Sequence, residues 1–245
     1  MSKTQTPKTQ NHEPQIPETM PVRPHHTGHR DRLRARFLQG GQKALQDYEW
    51  LELLLFLGIP RKDVKPLAKD LIAQFGNMQK VLHASFDELC AVKGMSANAA
   101  IALLSVKSVA QILLQRDLLN QPIIDSFQKL IAYCHATMAH EKRELFRVLF
   151  LNRKNHLIAD EIQNTGTVDH TPVYPREIMK RALELGATAL ILVHNHPAGD
   201  PEPSQDDLVM TRQIIQAATP FEITIHDHII IGRHGHTSFR ARNLL

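Results

Sequence analysis

Cysteine is nearly absent from this chain. Cys90 and Cys134 are the only two in 245 residues. They are too few for a disulfide framework and match no zinc or redox spacing, so both are read as buried thiols in a reducing, cytoplasmic setting. Aromatic residues are scarce at 5%, with a single tryptophan, and no aromatic stripe suited to stacking single-stranded nucleic acid is visible. No apolar run approaches the ~20 residues that span a bilayer. No apolar stretch followed by a small-residue cleavage site marks the N-terminus as a signal peptide. The expectation is a cytoplasmic protein without a membrane. The net charge of +4 is too small for the whole-protein field to announce nucleic acid, so any such affinity must come from local clusters.

What is present divides the chain. Residues 1–27 hold Thr, Gln, Pro and His with almost no large apolar side chains, and read as a disordered tail; His25, His26 and His29 read as solvated histidines. Residues 28–117 read as an all-α domain. Leu51, Leu54, Leu55 and Leu57 with Trp50 and Phe56 suit a buried helix stopped by Gly58 and Pro60. Val64, Leu67, Ala68, Leu71 and Ile72 keep helical spacing up to Gly76, a C-terminal cap. A short helix covers Met78 to His83, and Ser85 with Glu88 forms a capping box for the next. Residues 118–125, with Pro122, read as a linker.

Residues 126–245 change period. Leu145 to Leu151 reads as a strand, with His156 to Ala159 pairing against it. Pro175 opens a helix that Gly186 ends. Ala189 to Val193 is a continuous apolar run, as in a strand covered on both faces. Ser204 to Ala218 is a helix, and Glu222 to Ile225 and His228 to Ile231 are two further strands. The fold class is therefore α/β (α+β) with a mixed sheet, preceded by the small all-α domain.

The chemistry concentrates after the apolar run. His194 and His196 are two apart at a strand end, so both imidazoles face one point. Residues 198–203 turn the chain back, Ser204 is a good N-cap, and Asp207 falls in the first helical turn, able to reach the same point. Two imidazoles and one carboxylate leave one ligand position open, the pattern of a catalytic zinc rather than a closed structural one. Water in that position has its pKa lowered to ~7. Such a site needs a proton acceptor that is not a ligand, and Glu161, ahead of Gly166 and Thr167, is the best candidate. Taken one at a time, Ser204 and Asp207 are only a helix cap and a first-turn charge; the combination behind a buried strand points to one zinc per chain.

Glu161, His194-x-His196, Ser204 and Asp207 in this spacing resemble the JAMM signature of the JAB/MPN metalloproteases. With Gly166-Thr167, Pro175-Arg176-Glu177, His194-Asn195-His196-Pro197, Gly199-Asp200, Pro203-Ser204, Asp207 and Asp227-His228-Ile229-Ile230, the chain more closely resembles the bacterial RadC family over about residues 30–245. The common family form has Ser where Ala198 stands. The resemblance implies a JAB/MPN-like domain at 126–245, zinc on His194, His196 and Asp207, Glu161 as the acid/base, and Ser204 helping to hold the oxyanion or the water. The implied reaction is hydrolysis of a peptide or isopeptide bond in a peptide or protein substrate. Family members are named as DNA repair proteins.

Other features carry rival readings. His226, His228, His234 and His236 form a second cluster, read as structural histidines or as support for the ligands from Asp227 and His228. Arg176 reads equally as a substrate contact or as an exposed first-turn charge. Val92 to Ser96, followed by Ala97, Ala99, Ala100 and Leu103, resembles a helix-hairpin-helix, although Ser96 replaces the second glycine; DNA contact through residues 92–107 competes with a structural αα-hairpin. Arg30, Arg32, Arg34 and Arg36 could meet phosphates through residues 30–36, or anchor their helix onto the next. The alternative function is thus a non-catalytic DNA repair or recombination factor with structural zinc. A nucleobase deaminase is excluded, because neither cysteine fits its P-C-x-x-C ligand pair. So is an HNH nuclease, whose residues spread over a longer ββα unit.

Overall fold

A computed structural model describes residues 28–119, 122–165 and 173–245. The helices expected in the first half are present. Helices α1 (His29–Gly40), α2 (Asp47–Gly58), α3 (Lys65–Phe75), α4 (Met78–His83), α5 (Phe86–Cys90) and α6 (Ala97–Leu119) build an all-α unit. Ser85 and Glu88 close the expected capping box on α5, and Gly76 ends α3 at φ 99°. Leu51, Leu55, Leu71, Leu89 and Leu103 are fully buried in its core. Gly58 lets α2 cross α6 closely: a Cβ there would lie 2.4 Å from the Ala99 backbone.

Helix α6 does not stop at 117. It runs on to Leu119 because Leu118 is buried in the core of the following domain, so one helix serves both units. By length and composition alone α6 is long and apolar enough to cross a membrane, which corrects the expectation that no such segment exists. Its residues Ala99, Ala100 and Leu103 are packed into the first core and Leu118 into the second.

The second domain comprises α7 (Phe127–Met138), β1 (Leu145–Leu151), β2 (Leu157–Thr165), α8 (Pro175–Leu185), β3 (Ala189–Asn195), α9 (Gln205–Ala218), β4 (Thr224–Ile231) and β5 (His236–Ser238). The sheet order is β2-β1-β3-β4-β5. Only β3 and β4 pair in parallel, across the α9 crossover; the other pairs are antiparallel. Alternate residues of the strands feed two cores. Phe146, Val148, Phe150, Leu190 and Leu192 pack beneath α8 and α9. Leu149, Leu151, Ile191, Val193 and Ile229 pack against α7 and the end of α6. The buried central strands β1 and β3 are therefore continuously apolar, as expected for strands covered on both faces.

Two expectations need correction. The two strands expected at 222–225 and 228–231 are one strand, β4, which begins only at Thr224. Asp227, which interrupts its apolar pattern, is buried but satisfied by Ser238 Oγ at 2.5 Å, the Arg240 amide at 3.0 Å and the His228 amide at 2.8 Å. Cys90 is exposed, whereas Cys134 is buried as expected, and that burial pushes its thiol up to about 12.

Candidate metal centre

His194 and His196 lie at the end of β3 and just beyond it, where the parallel neighbour β4 still holds the chain: the His196 amide donates to the Ile231 carbonyl at 3.0 Å. Their Nε2 atoms stand 3.0 Å apart. Gly199, at φ 102°, turns the loop back, and Ser204 caps α9. There the Asp207 amide donates to Ser204 Oγ at 3.2 Å, while the Ser204 amide and hydroxyl donate to Asp207 Oδ2 at 2.8 and 2.6 Å. This capping box also fixes the carboxylate. Asp207 Oδ1 lies 3.0 Å from His194 Nε2, and Oδ2 lies 3.5 Å from His196 Nε2. The sequence placed these three residues at one point, and the structure brings them together. They are the one group of three or more His, Cys, Asp or Glu among the described residues with ligand atoms close enough to share an ion.

The donor set fits zinc on its own chemistry. His196 Nδ1 meets the Asp200 carbonyl at 2.8 Å; a carbonyl only accepts, so Nδ1 carries the proton and Nε2 presents a lone pair. Asp207 is strongly acidic in this setting. Burial pushes its pKa up, but His194, His196 and the Ser204 hydroxyl outweigh this and hold it well below the usual carboxylate range. His196 is raised, first by its contact with Asp207 and against the effect of burial. The group thus attracts positive charge into a point lined by nitrogen and oxygen ligands, and three protein ligands leave an open position.

Residues around the ligands were less legible. Asn195, between the two histidines, points to the opposite face by the period of two, and is buried. Its side chain accepts from the Leu145 amide at 2.9 Å and donates to the Arg143 carbonyl at 3.1 Å. It ties the start of β1 to the metal strand. The preceding loop is held from the other side by the helical domain, through Gln79 on His140 at 2.8 Å and Glu88 on Lys142 at 2.5 Å. His228 lies directly behind the ligands: its Nε2 is 2.8 Å from His194 Nδ1. His226 does not share its face. The β3–β4 register shifts by one residue between Leu190 and Ile191, opposite Ile225 and Asp227, so His226 turns away and meets Asn155 Oδ1 at 2.7 Å. His234 and His236 are exposed.

Glu161 lies on edge strand β2. It is in register with Val148, which faces Leu192, so its side chain shares the sheet face of His194 but sits one row back. There Arg181 of α8 binds it twofold, Nη2 to Oε1 at 2.7 Å and Nε to Oε2 at 3.0 Å. This hydrogen-bonded pairing holds the Glu161 carboxyl below its ordinary value. Among the described residues no hydrogen bond joins Glu161 to the ligand group. Gly166 and Thr167 lie outside the described residues. Arg176 is exposed and paired with Glu177 at 3.0 Å.

A cleft of about 1250 Å³ opens at the metal centre between the two domains. Asp206, Val209, Met210 and Gln213, one stripe of α9, line it on one side, and Gln74, Lys80 and His83 of the helical domain line it on the other.

In comparison with known protein families, residues 124–244 match the RadC-like JAB domain and residues 25–101 match the UPF0758 N-terminal domain. The fold and the metal-ready strand end thus define a JAB-domain protein. With both domains in this order, the chain belongs to the RadC family.

Proposed function

We propose that this protein is a zinc-dependent metallopeptidase that cleaves a peptide or isopeptide bond. The observation that carries the reading is the convergence of His194 Nε2, His196 Nε2 and an Asp207 oxygen on one point at the mouth of a cleft. At about 1250 Å³ that cleft is larger than the ~300–1,000 Å³ of most small-ligand pockets, which supports a polypeptide substrate. When bound, one zinc per chain supplies Lewis acidity and a lowered water pKa.

The chain's own residues divide the remaining work. His194, His196 and Asp207 hold the ion, and Asn195 keeps the ligand strand in place. Glu161 takes a proton from the attacking water and gives it to the leaving amine, so that one water and one amide become one acid and one amine. For this Glu161 must leave Arg181, whose grip makes it a weaker base. Ser204 lines the cleft and gives its single hydroxyl proton to Asp207; to steady the developing oxyanion it must turn that proton from Asp207 to the oxyanion. Peptide or protein is the proposed partner, and the cytoplasm the proposed setting.

The test compares wild type with Glu161→Gln. Both are expected to carry one zinc per chain by elemental analysis. Proteomics of cells expressing each is expected to show cleavage products that disappear with Glu161→Gln. Cleavage falling by roughly 10²–10⁴-fold with zinc unchanged supports the base role. Equal cleavage in both strains removes it.

A further inference from the structure

Behind the ligands runs a chain of short contacts that the zinc reading alone does not require. His194 Nδ1 lies 2.8 Å from His228 Nε2, His228 Nδ1 lies 2.6 Å from Thr211 Oγ1, and Thr211 Oγ1 lies 2.6 Å from the backbone carbonyl of Asp207. His194 and His228 are fully buried and Thr211 is 1% exposed, so no solvent can supply a missing proton. The protons can be assigned by elimination. The Asp207 carbonyl can only accept, so the one hydroxyl proton of Thr211 goes to it. Thr211 then has only lone pairs for His228, and His228 Nδ1 must donate. The His228 ring has Phe146 and Phe239 as neighbours, with centroids 6.0 and 4.5 Å away. In those surroundings a neutral ring, with one donor and one acceptor, is satisfied by its two partners, whereas a buried charge would be costly. His228 Nε2 is therefore an acceptor, and His194 Nδ1 donates to it. His194 Nε2 is left with its lone pair facing the metal point.

We infer that Thr211 and His228 are positioning residues that lock His194 in the tautomer able to bind the ion. The contacts start at one ligand and end on the backbone of another, so a single hydroxyl fixes the ring state of His194 and steadies the turn carrying Asp207. Such partners behind a metal-bound histidine typically govern 10–100-fold in metal affinity. The inference rests on the reading that His194 holds a metal.

Thr211→Val keeps the shape and removes the hydroxyl, freeing His228 to place its proton on Nε2 and force the wrong tautomer on His194. Thr211→Ser keeps the relay. Zinc affinity is measured by chelator competition in all three full-length proteins, with thermal melting of the metal-free forms. The expected result is a roughly 10–100-fold loss of affinity in Thr211→Val and wild-type affinity in Thr211→Ser. A lower melting temperature in Thr211→Val with unchanged affinity would make Thr211 merely structural and overturn the inference. Nitrogen-15 spectra of the metal-free wild type provide a check that needs no variant: His194 is expected protonated on Nδ1, and protonation on Nε2 overturns the relay. If wild type bound no zinc at all, the functional reading would fall, and these spectra would still decide whether the relay exists.

Discussion

Two clusters in this chain look functional from composition alone, and the structure treats them in opposite ways. In residues 30–36 the arginines are used inside the molecule. Arg30 donates to the Ile59 and Lys62 carbonyls at 2.6 and 2.5 Å and lies 4.3 Å from the Phe56 ring centre. Arg34 pairs with Asp31, and Arg36 grips Glu49 twofold and donates to the Ala44 carbonyl. In residues 194–207 the contacts run the other way: every neighbouring group is arranged so that three acceptors face one another. The first cluster answers its own charges, and the second leaves an unmet demand for a cation. Unmet demand, rather than density of charge, separates a candidate site from a scaffold.

Several experiments can break or sharpen this contrast. The largest effect is expected from His194→Ala, which should reduce bound zinc from one per chain to a small fraction in elemental analysis, while Arg36→Ala leaves zinc unchanged. Equal zinc in both variants would erase the distinction. Next is Gly58→Ala. Its new Cβ meets backbone atoms that cannot swing aside, and overpacking of this kind costs about 1–3 kcal/mol. The expected drop in Tm is about 2–4 °C for each kcal/mol in a chain of this size, with zinc binding intact. Arg36→Ala should lower Tm less, since half of its side chain is exposed and solvent screens the pair. In duplex-DNA titrations it should also leave the salt dependence of any binding unchanged; a slope reduced by about one would instead make the run a phosphate contact.

The smallest effect concerns pH. Burial, with His83 beside it, lowers His140 to about 4, and burial lowers His228 well below its ordinary value. Unfolded histidines titrate near 6.5, so the unfolded chain binds these protons first. Stability is then full above about pH 6.5 and is lost as pH falls toward about 4. His196, raised by Asp207, works in the opposite sense in metal-free protein. The clean measurement is therefore the difference between wild type and His140→Gln, whose Tm should decline less steeply over that interval.

The ligands were legible because each follows from a short-range rule. A period of two puts His194 and His196 on one point, and a capping box sets Asp207 three residues after Ser204. The capping of α5 and the ends of α3 and α8 were readable for the same reason. What could not be read depends on distant packing. Arg181 reaches Glu161 only because α8 lies over β2. Arg36 finds Glu49 only when α1 docks on α2. Thr211 gains meaning only through His228, which arrives from another strand. A period of two would put His226 and His228 on one face, but one extra residue in β4 separates them and is invisible without its partner strand. Asp227 reads as a strand break because two of its three hydrogen-bond partners, Ser238 and Arg240, come from β5 and the turn after it.

That extra residue has a consequence for how the gene could vary. On either side of the shift, Ile225 faces Leu190 and Asp227 faces Ile191, with His226 counted out of the ladder. Loss of the His226 codon would leave both neighbours on their present faces and His228 still behind the metal point. Loss or gain of a codon between Asp227 and Ile231 would turn the following side chains to the other face and break the ladder. Within one strand, then, the molecule has a place where length is nearly free to drift and, one residue further on, a stretch where it is fixed.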